Sequence, residues 1–288
     1  VLAQTYAPLE IVLVVDGNQR VFERVSDSFG DEENVRLHCN DENQGISYSR
    51  TKGAELASGE IVAFIDDDAT AEPDWIQRLV DVYESTDAIA VGGDVRPDWQ
   101  TEKPDFFPAE FYWLVGCVEP RFAEDGEEVR NTYGSNISYR REEFLEVGGY
   151  DPNTGRKGDK HLQAHEAPVG IRLRREFGQG MVFTENAVVD HKLFDYRGEF
   201  RWLIARSFWQ GYSKRVMDLL YPDAEDNKSS YLKQLFTHFV PKRVRNLVRS
   251  PSSARVQQLI AIFVFTSAVG VGYLYAVVTP DVVEKANA

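Results

Sequence analysis

Ile61-Val-Ala-Phe-Ile65 runs straight into Asp66-Asp67-Asp68, and this stretch decides the architecture. Five apolar, partly β-branched residues with no polar alternation read as a strand buried on both faces, the kind found in parallel sheets. Three consecutive carboxylates at its carboxyl end repel one another unless a cation sits among them. An oxygen-rich cluster selects Mg²⁺ or Mn²⁺, and such ions bind diphosphate oxygens. A solvated acidic turn is the plain alternative.

The same grammar repeats on either side. Glu10-Ile-Val-Leu-Val-Val15 is a strand ending in the turn signal Asp16-Gly17, followed by helical spacing over Gln19–Phe29. Val35–Cys39 is a further strand. Asn43–Ala57 is a loop entering a helix, with Gly45 near its start and Ser58-Gly59 as its stop. Pro73–Tyr83 is a helix, and Ala88-Ile-Ala-Val91 a strand closed by Gly92-Gly93. Strands alternating with helices predict an α/β fold with a mostly parallel sheet covered on both faces. Ligands of such sheets bind at the carboxyl ends of strands, where Asp16 and Asp66–Asp68 both fall.

Residues 96–134 are irregular and rich in proline, aromatics and acids, and are expected to form a long active-site region. Gly134-Ser-Asn136 and Gly148-Gly149 frame another strand–helix piece, and 200–240 is helical, amphipathic and aromatic. The stretch 258–279 carries no charged residue and is long enough to span a bilayer. Lys242, Arg243, Arg245, Arg249 and Arg255 precede it, so the positive-inside rule puts the large preceding part in the cytoplasm. The basic, aromatic stretch upstream is expected to lie along the membrane surface.

Composition bounds the partners. The 288 residues are 43% hydrophobic, enough for a core, yet carry 46 acidic against 32 basic side chains, a net charge of −14. That surface argues against a nucleic-acid partner, which needs a basic stripe. It suits a protein kept soluble in high salt. Cys39 and Cys117 lack metal-ligand spacing, and a reducing compartment is the simpler inference. No basic stretch followed by an apolar run opens the chain, and Val1 already reads as mid-domain, so an upstream segment is expected.

Individual residues point the same way with less force. Asp16 suits a hydrogen bond to a nucleobase or ribose, although Asp-Gly is also an ordinary turn. Asn43, Gly45 and Arg50 border the same crevice, and Arg50 can pair with phosphate or with the acidic cluster. Glu166 is placed to act as general base for a hydroxyl nucleophile. A salt bridge to the arginines of Arg172-Leu-Arg-Arg175 is its structural alternative. His191, after Ala187-Val-Val-Asp190, suits a metal ligand or phosphate contact, though lone histidines are more often structural.

Six pieces fall in order: Leu2-Ala-Gln-Thr-Tyr6, Ile11-Val-Leu-Val-Val-Asp16-Gly17, Asn43-Gln-Gly45 with Arg50, Ala57-Ser-Gly59-Glu60-Ile61, Phe64-Ile-Asp66-Asp-Asp68 and Pro73-Asp-Trp75-Ile76. With Gly134-Ser-Asn136-Ile-Ser-Tyr-Arg140-Arg141 and Val147-Gly-Gly149-Tyr150-Asp151, they resemble the family-2 inverting glycosyltransferases of the GT-A fold over residues 1–215. The resemblance implies that Asp16 and Asp66, with Asn43, Gly45, Arg50 and Asp67 around them, bind a nucleotide sugar, expected to be a UDP-sugar. It implies Asp68 and His191 as ligands of Mn²⁺ or Mg²⁺. In the family the second acid of a pair ahead of an arginine-ending helix is the base; here the pair reads His165-Glu166, making Glu166 the base. The family's opening strand is absent from this sequence.

The implied organisation is a GT-A catalytic domain over 1–215, a basic membrane-surface region over 216–256, a transmembrane helix over 257–279 and a short tail over 280–288. A cytoplasmic site beside a membrane helix is similar to enzymes that extend glycans on dolichol or polyprenyl phosphate. With the acidic surface it resembles haloarchaeal N-glycosylation enzymes, with a hexuronic acid as the expected sugar. A sugar nucleotidyltransferase and a non-catalytic nucleotide-sugar-binding protein at the membrane are the other readings.

Overall fold

The computed structural model describes residues 1–152, 166–222 and 228–279. His161 and His165 lie outside these. Among the described residues the chain divides into two compact units, one made of Val1–Arg96 with Ala123–Asp190, the other of Pro97–Phe122 with the residues of 191–279.

In the first unit, β1 (Ile11–Val15) and β2 (Val35–Cys39) pair in parallel, linked by α1 (Gln19–Phe29). The Asn18 side chain caps α1 by accepting from the Val21 N–H at 3.1 Å, which satisfies one of the orphan donors of the first turn. α2 (Ile46–Leu56) leads to β3 (Ile61–Phe64), β4 (Ala69–Ala71) and α3 (Trp75–Ser85). Then come β5 (Ala90–Trp99), β6 (Glu128–Val129), β7 (Ile137–Arg140), α4 (Arg141–Glu146), α5 (Glu166–Phe177) and β8 (Met181–Leu193).

The larger sheet has the order β3-β7-β5-β8-β4, with β6 on β8. The expected α/β architecture is present, in a mixed form. β7 enters between β3 and β5 and runs antiparallel to both. The chain reaches β7 through the long irregular excursion after β5, and no crossover helix intervenes to force a parallel return. Gly92-Gly93, read as a stop, lies inside β5. A Cβ on Gly93 would sit 2.2 Å from the Ala187 carbonyl oxygen, and one on Gly92 would strike Thr132. Here glycine permits close approach of neighbouring chain and does not end the strand.

α3 buries Trp75, Ile76, Leu79, Val80 and Tyr83. That stripe, at helical spacing, meets Val91 of β5 and Ala187 and Val189 of β8. Beneath the end of β3, Phe64 packs against Phe144 and Tyr150, with ring centroids 5.6 and 5.4 Å away. These rings hold the strand that delivers the aspartates.

The second unit contains a 3₁₀ turn (Ala109–Val115), α6 (Phe200–Leu220), α7 (Lys228–Gln234), a π turn (Leu235–Phe239), α8 (Val240–Arg249) and α9 (Ser253–Val278). Its core centres on Phe265 of α9, fully buried against Phe107, Phe111 and Phe200. Arg243 of α8 forms a two-pronged pair with the buried Glu110. By length and composition α9 is the one described helix able to cross a membrane.

Phe64→Ala should remove the ring that three aromatics pack around. The expected cost is about 3–5 kcal/mol of stability, read as a lower urea midpoint with an unchanged slope.

Candidate active site

The carboxyl end of β1 fixes the first group. Asp16 accepts from the Asn40 side chain and from the Gln44 N–H on one oxygen, and from the Gly45 N–H on the other, each at 2.8 Å. Burial pushes its pKa up, but the hydrogen bonds from Asn40, Gln44, Gly45 and Ser49 outweigh that and hold it below the ordinary aspartate value. The structure therefore uses Asp16 to pin the loop that starts α2. Gly17 makes this possible: its φ is +68°, and a Cβ there would lie 2.2 Å from the Asn43 nitrogen. Gly45, with φ +89°, caps α2. The Asn43 side chain is exposed beside this turn.

One turn further along α2, Arg50 points into the heart of the unit. Its guanidinium pairs with Asp66, donates to the Gly134 carbonyl oxygen at 3.1 Å, lies 4.0 Å from Glu166 and sits over the Tyr150 ring. Burial alone would work against its charge; Asp66, Tyr150 and Glu166 more than compensate, so Arg50 stays protonated. Glu166, the first described residue of α5, accepts from the Gly134 N–H at 3.1 Å. Gly134 thus faces both charged partners. A Cβ on it would lie 2.3 Å from Arg50 and 2.6 Å from Glu166.

Asp66, Asp67 and Asp68 occupy the turn between β3 and β4, closed by the Ala69 N–H donating to the Asp66 carbonyl oxygen. Asp67 is exposed, while Asp66 and Asp68 are half-buried. Of the residues picked from the sequence, Arg50, Asp66 and Glu166 are brought into one cluster, and Asp16, Asn43 and Gly45 form a second around the α2 loop. His191 is placed in the second unit. It is buried, with Nε2 2.8 Å from Arg197 Nη1 and Nδ1 3.8 Å from Cys117 Sγ. No cluster of three or more histidine, cysteine or acidic side chains suited to a metal occurs among the described residues.

Asn136, in the Gly134-Ser-Asn136 segment, is fully buried. It donates to the Asp94 and Ala187 carbonyl oxygens and accepts from Trp75 Nε1, each at 2.8 Å. Every polar position of its amide is satisfied, so it locks β5, β7, β8 and α3 together behind Gly134. The only sequence hint was a polar residue next to the apolar start of β7.

Residues 1–148 match glycosyl transferase family 2. The chain belongs to that family. Among curated proteins it is 68% identical over 288 residues to the glucosyl-dolichyl phosphate glucuronosyltransferase of Haloferax volcanii, covering the whole chain and 92% of the relative. It is 33% identical over 179 residues to the glycosyltransferase AglE of the same organism, covering 60% of the chain and 56% of that protein. A mannosyltransferase from Pyrobaculum calidifontis, solved with GDP-mannose and Mn²⁺, superposes with a TM-score of 0.57 at 16% identity. It covers 95% of this chain and 81% of that one. At that identity the likeness speaks for the fold alone. Family membership removes the nucleotidyltransferase reading.

Two outcomes test the geometry. Gly134→Ala should force Arg50 and Glu166 apart and lower kcat by about 10²-fold, the scale of a 1 Å displacement of a catalytic group, with little change in the far-ultraviolet circular dichroism. For Asp16 the sign follows from its lowered pKa. Its contribution is complete above the unfolded value near 3.8 and is lost as pH falls through the lower folded value. The stability gap between wild type and Asp16→Asn should therefore be widest near neutrality and shrink below about pH 4, as read by urea unfolding at pH 6 and pH 3.

Proposed function

We propose that this chain transfers a glucuronosyl group from a UDP-sugar to a glucosyl-dolichyl phosphate acceptor, with inversion, at a membrane and from its cytoplasmic side. The observation that carries the chemistry is the Arg50–Asp66–Glu166 cluster bridged by Gly134. It stands in a chain 68% identical to a glucuronosyltransferase over its full length. The apolar helix α9 supports attachment to the membrane that holds such a lipid acceptor.

In this reading Glu166 accepts the proton of the acceptor hydroxyl as its oxygen bonds to the anomeric carbon. The bond from that carbon to the UDP oxygen breaks in the same displacement, and UDP leaves as an anion. Gly134 and Arg50 hold the Glu166 carboxylate in one orientation, so little reorganisation is needed when the proton moves. Asp16, Asn43 and Gly45 shape the loop at the strand ends where nucleotides bind in sheets of this kind, and Asp67 is exposed on the β3–β4 turn.

A divalent cation fits the donor chemistry of the β3–β4 turn, where Asp66 and Asp68 offer hard oxygens suited to Mn²⁺ or Mg²⁺. When bound, such an ion neutralises charge on a diphosphate. His191 meets Arg197 and Cys117 at its two ring nitrogens, so it must exchange the Arg197 contact before it can serve as a ligand. We assign the metal to Asp68 with Asp66.

The test is full-length protein in detergent and high salt with UDP-glucuronate, glucosyl-polyprenyl phosphate and Mn²⁺, following UDP release and product mass. Acceptor-dependent release with a mass gain of one hexuronic acid supports the reading; release only from a different UDP-sugar refutes the donor. Glu166→Gln should lower kcat by about 10²–10⁴-fold with KM nearly unchanged. Asp68→Ala should also weaken Mn²⁺ binding, read from the free-ion electron paramagnetic resonance signal, and His191→Ala should leave that signal as in wild type.

A further inference from the structure

The apolar run of α9 by itself reads as a helix crossing a bilayer once. Its packing in the second unit says something different. One stripe of α9, including Ile262, Phe265, Gly272 and Ala276, is buried within that unit. The opposite stripe is exposed over the whole helix: Val256, Ile260, Phe263, Val271, Leu274 and Val278 recur at helical spacing, with Leu274 64% and Val278 76% accessible.

The helix is fastened to its unit along its length. Gln258 donates to the Asp105 carbonyl oxygen at 2.7 Å, and the Tyr273 hydroxyl donates to the Asp218 carboxylate at 2.9 Å. Those two ties are about 22 Å apart along a helix rising 1.5 Å per residue. Between them α6 and α9 touch backbone to backbone. A Cβ on Gly211 would lie 1.9 Å from the Val269 carbonyl oxygen, and one on Gly272 1.9 Å from that of Phe208.

A crossing α9 would therefore carry its partners into hydrocarbon. α6 brings Arg206, Lys214, Arg215 and Asp218, and the 3₁₀ turn brings irregular backbone and the Glu110–Arg243 pair. Charged side chains and unpaired backbone groups at that depth are strongly disfavoured. A helix lying in the interface has neither problem, because only its exposed stripe meets lipid.

α8 has the same character. Val244 and Val248 are exposed on one side, and Lys242, Arg245 and Arg249 are exposed on the other. In a chain of net charge −14, this run of cations beside an apolar stripe is complementary to anionic headgroups.

We propose that the second unit is monotopic: α9 lies in the plane of an anionic bilayer, its exposed stripe sunk into the headgroup–acyl boundary, with α8 beside it. The inference rests on the membrane attachment proposed above and replaces a single crossing with in-plane binding. Both ends of α9 then stay on the face of the membrane where the rest of the unit lies.

The test uses the full chain in a Cys39→Ser background, with nitroxide labels on Ile260→Cys, Ser267→Cys and Leu274→Cys. The protein is bound to vesicles of phosphatidylglycerol and phosphatidylcholine, and depth is read from the relative accessibility to oxygen and a nickel chelate. The expected result is one shallow depth for all three labels, about 5–10 Å below the headgroups. A profile deepest at residue 267, with 260 and 274 near opposite surfaces, overturns in-plane binding and leaves membrane attachment standing. Wild-type protein that fails to float with the vesicles, or that buries the stripe in a soluble dimer, overturns attachment itself. As a second reading, Phe263→Glu and Leu274→Glu should each lower the vesicle-bound fraction by about tenfold or more with helical circular dichroism unchanged; unchanged flotation counts against the proposal.

Discussion

A guanidinium whose side chain is only 10% exposed keeps its charge only where carboxylates face it, and Arg50 has two. Removing water from one charge is costly, and a close opposite charge with good hydrogen bonds is what repays it. The pairing ties Asp66 at the end of β3 to Glu166 of α5, residues 100 apart in sequence. Gly134 stands between them, offering its carbonyl oxygen to Arg50 and its N–H to Glu166. The geometry of the cluster depends on that residue having no side chain.

The surroundings exist to keep this arrangement rigid. Asn136, two residues on, satisfies all of its amide hydrogen bonds within the core. Arg141 donates to the Ala54 carbonyl oxygen at the end of α2, and Thr51 of α2 accepts from the Tyr150 N–H. Asp16 pulls the front of α2 onto β1 by two hydrogen bonds, with a third from Asn40 at the end of β2. α2 is thus held at both ends, and Arg50 projects from its middle. A carboxylate held in this way has little freedom to reorient.

The second unit solves a different problem. Its aromatic core is built around Phe265 of α9, the one described helix apolar and long enough to cross a membrane. One stripe of that helix holds the unit together. Glycines at 211 and 272 allow the approach of α6 and α9 that buries one stripe and leaves the other bare.

Much was legible in the sequence because periodicity and strand-end chemistry are local. β1, β2 and β3, the helices between them, and the aspartates at their ends followed from short apolar runs and turn residues. An ordered series of motifs carried the family and singled out Glu166, which the fold sets beside Arg50. What stayed hidden was whatever depends on partners far apart in the chain. Glycines 92 and 93 read as a stop because a lone sequence shows a glycine's freedom and not the Ala187 carbonyl or Thr132 side chain that requires it. β7 read as one more strand, and only the sheet decides that it runs against both neighbours. Asp16 carries the chemistry of a ligand contact, and tertiary structure adds the loop that its oxygens hold, whose donors lie 24–29 residues away. For α9, composition determined an apolar helix of sufficient length; which stripe is covered, and by which charged elements, is a matter of packing that hydropathy along one chain does not encode.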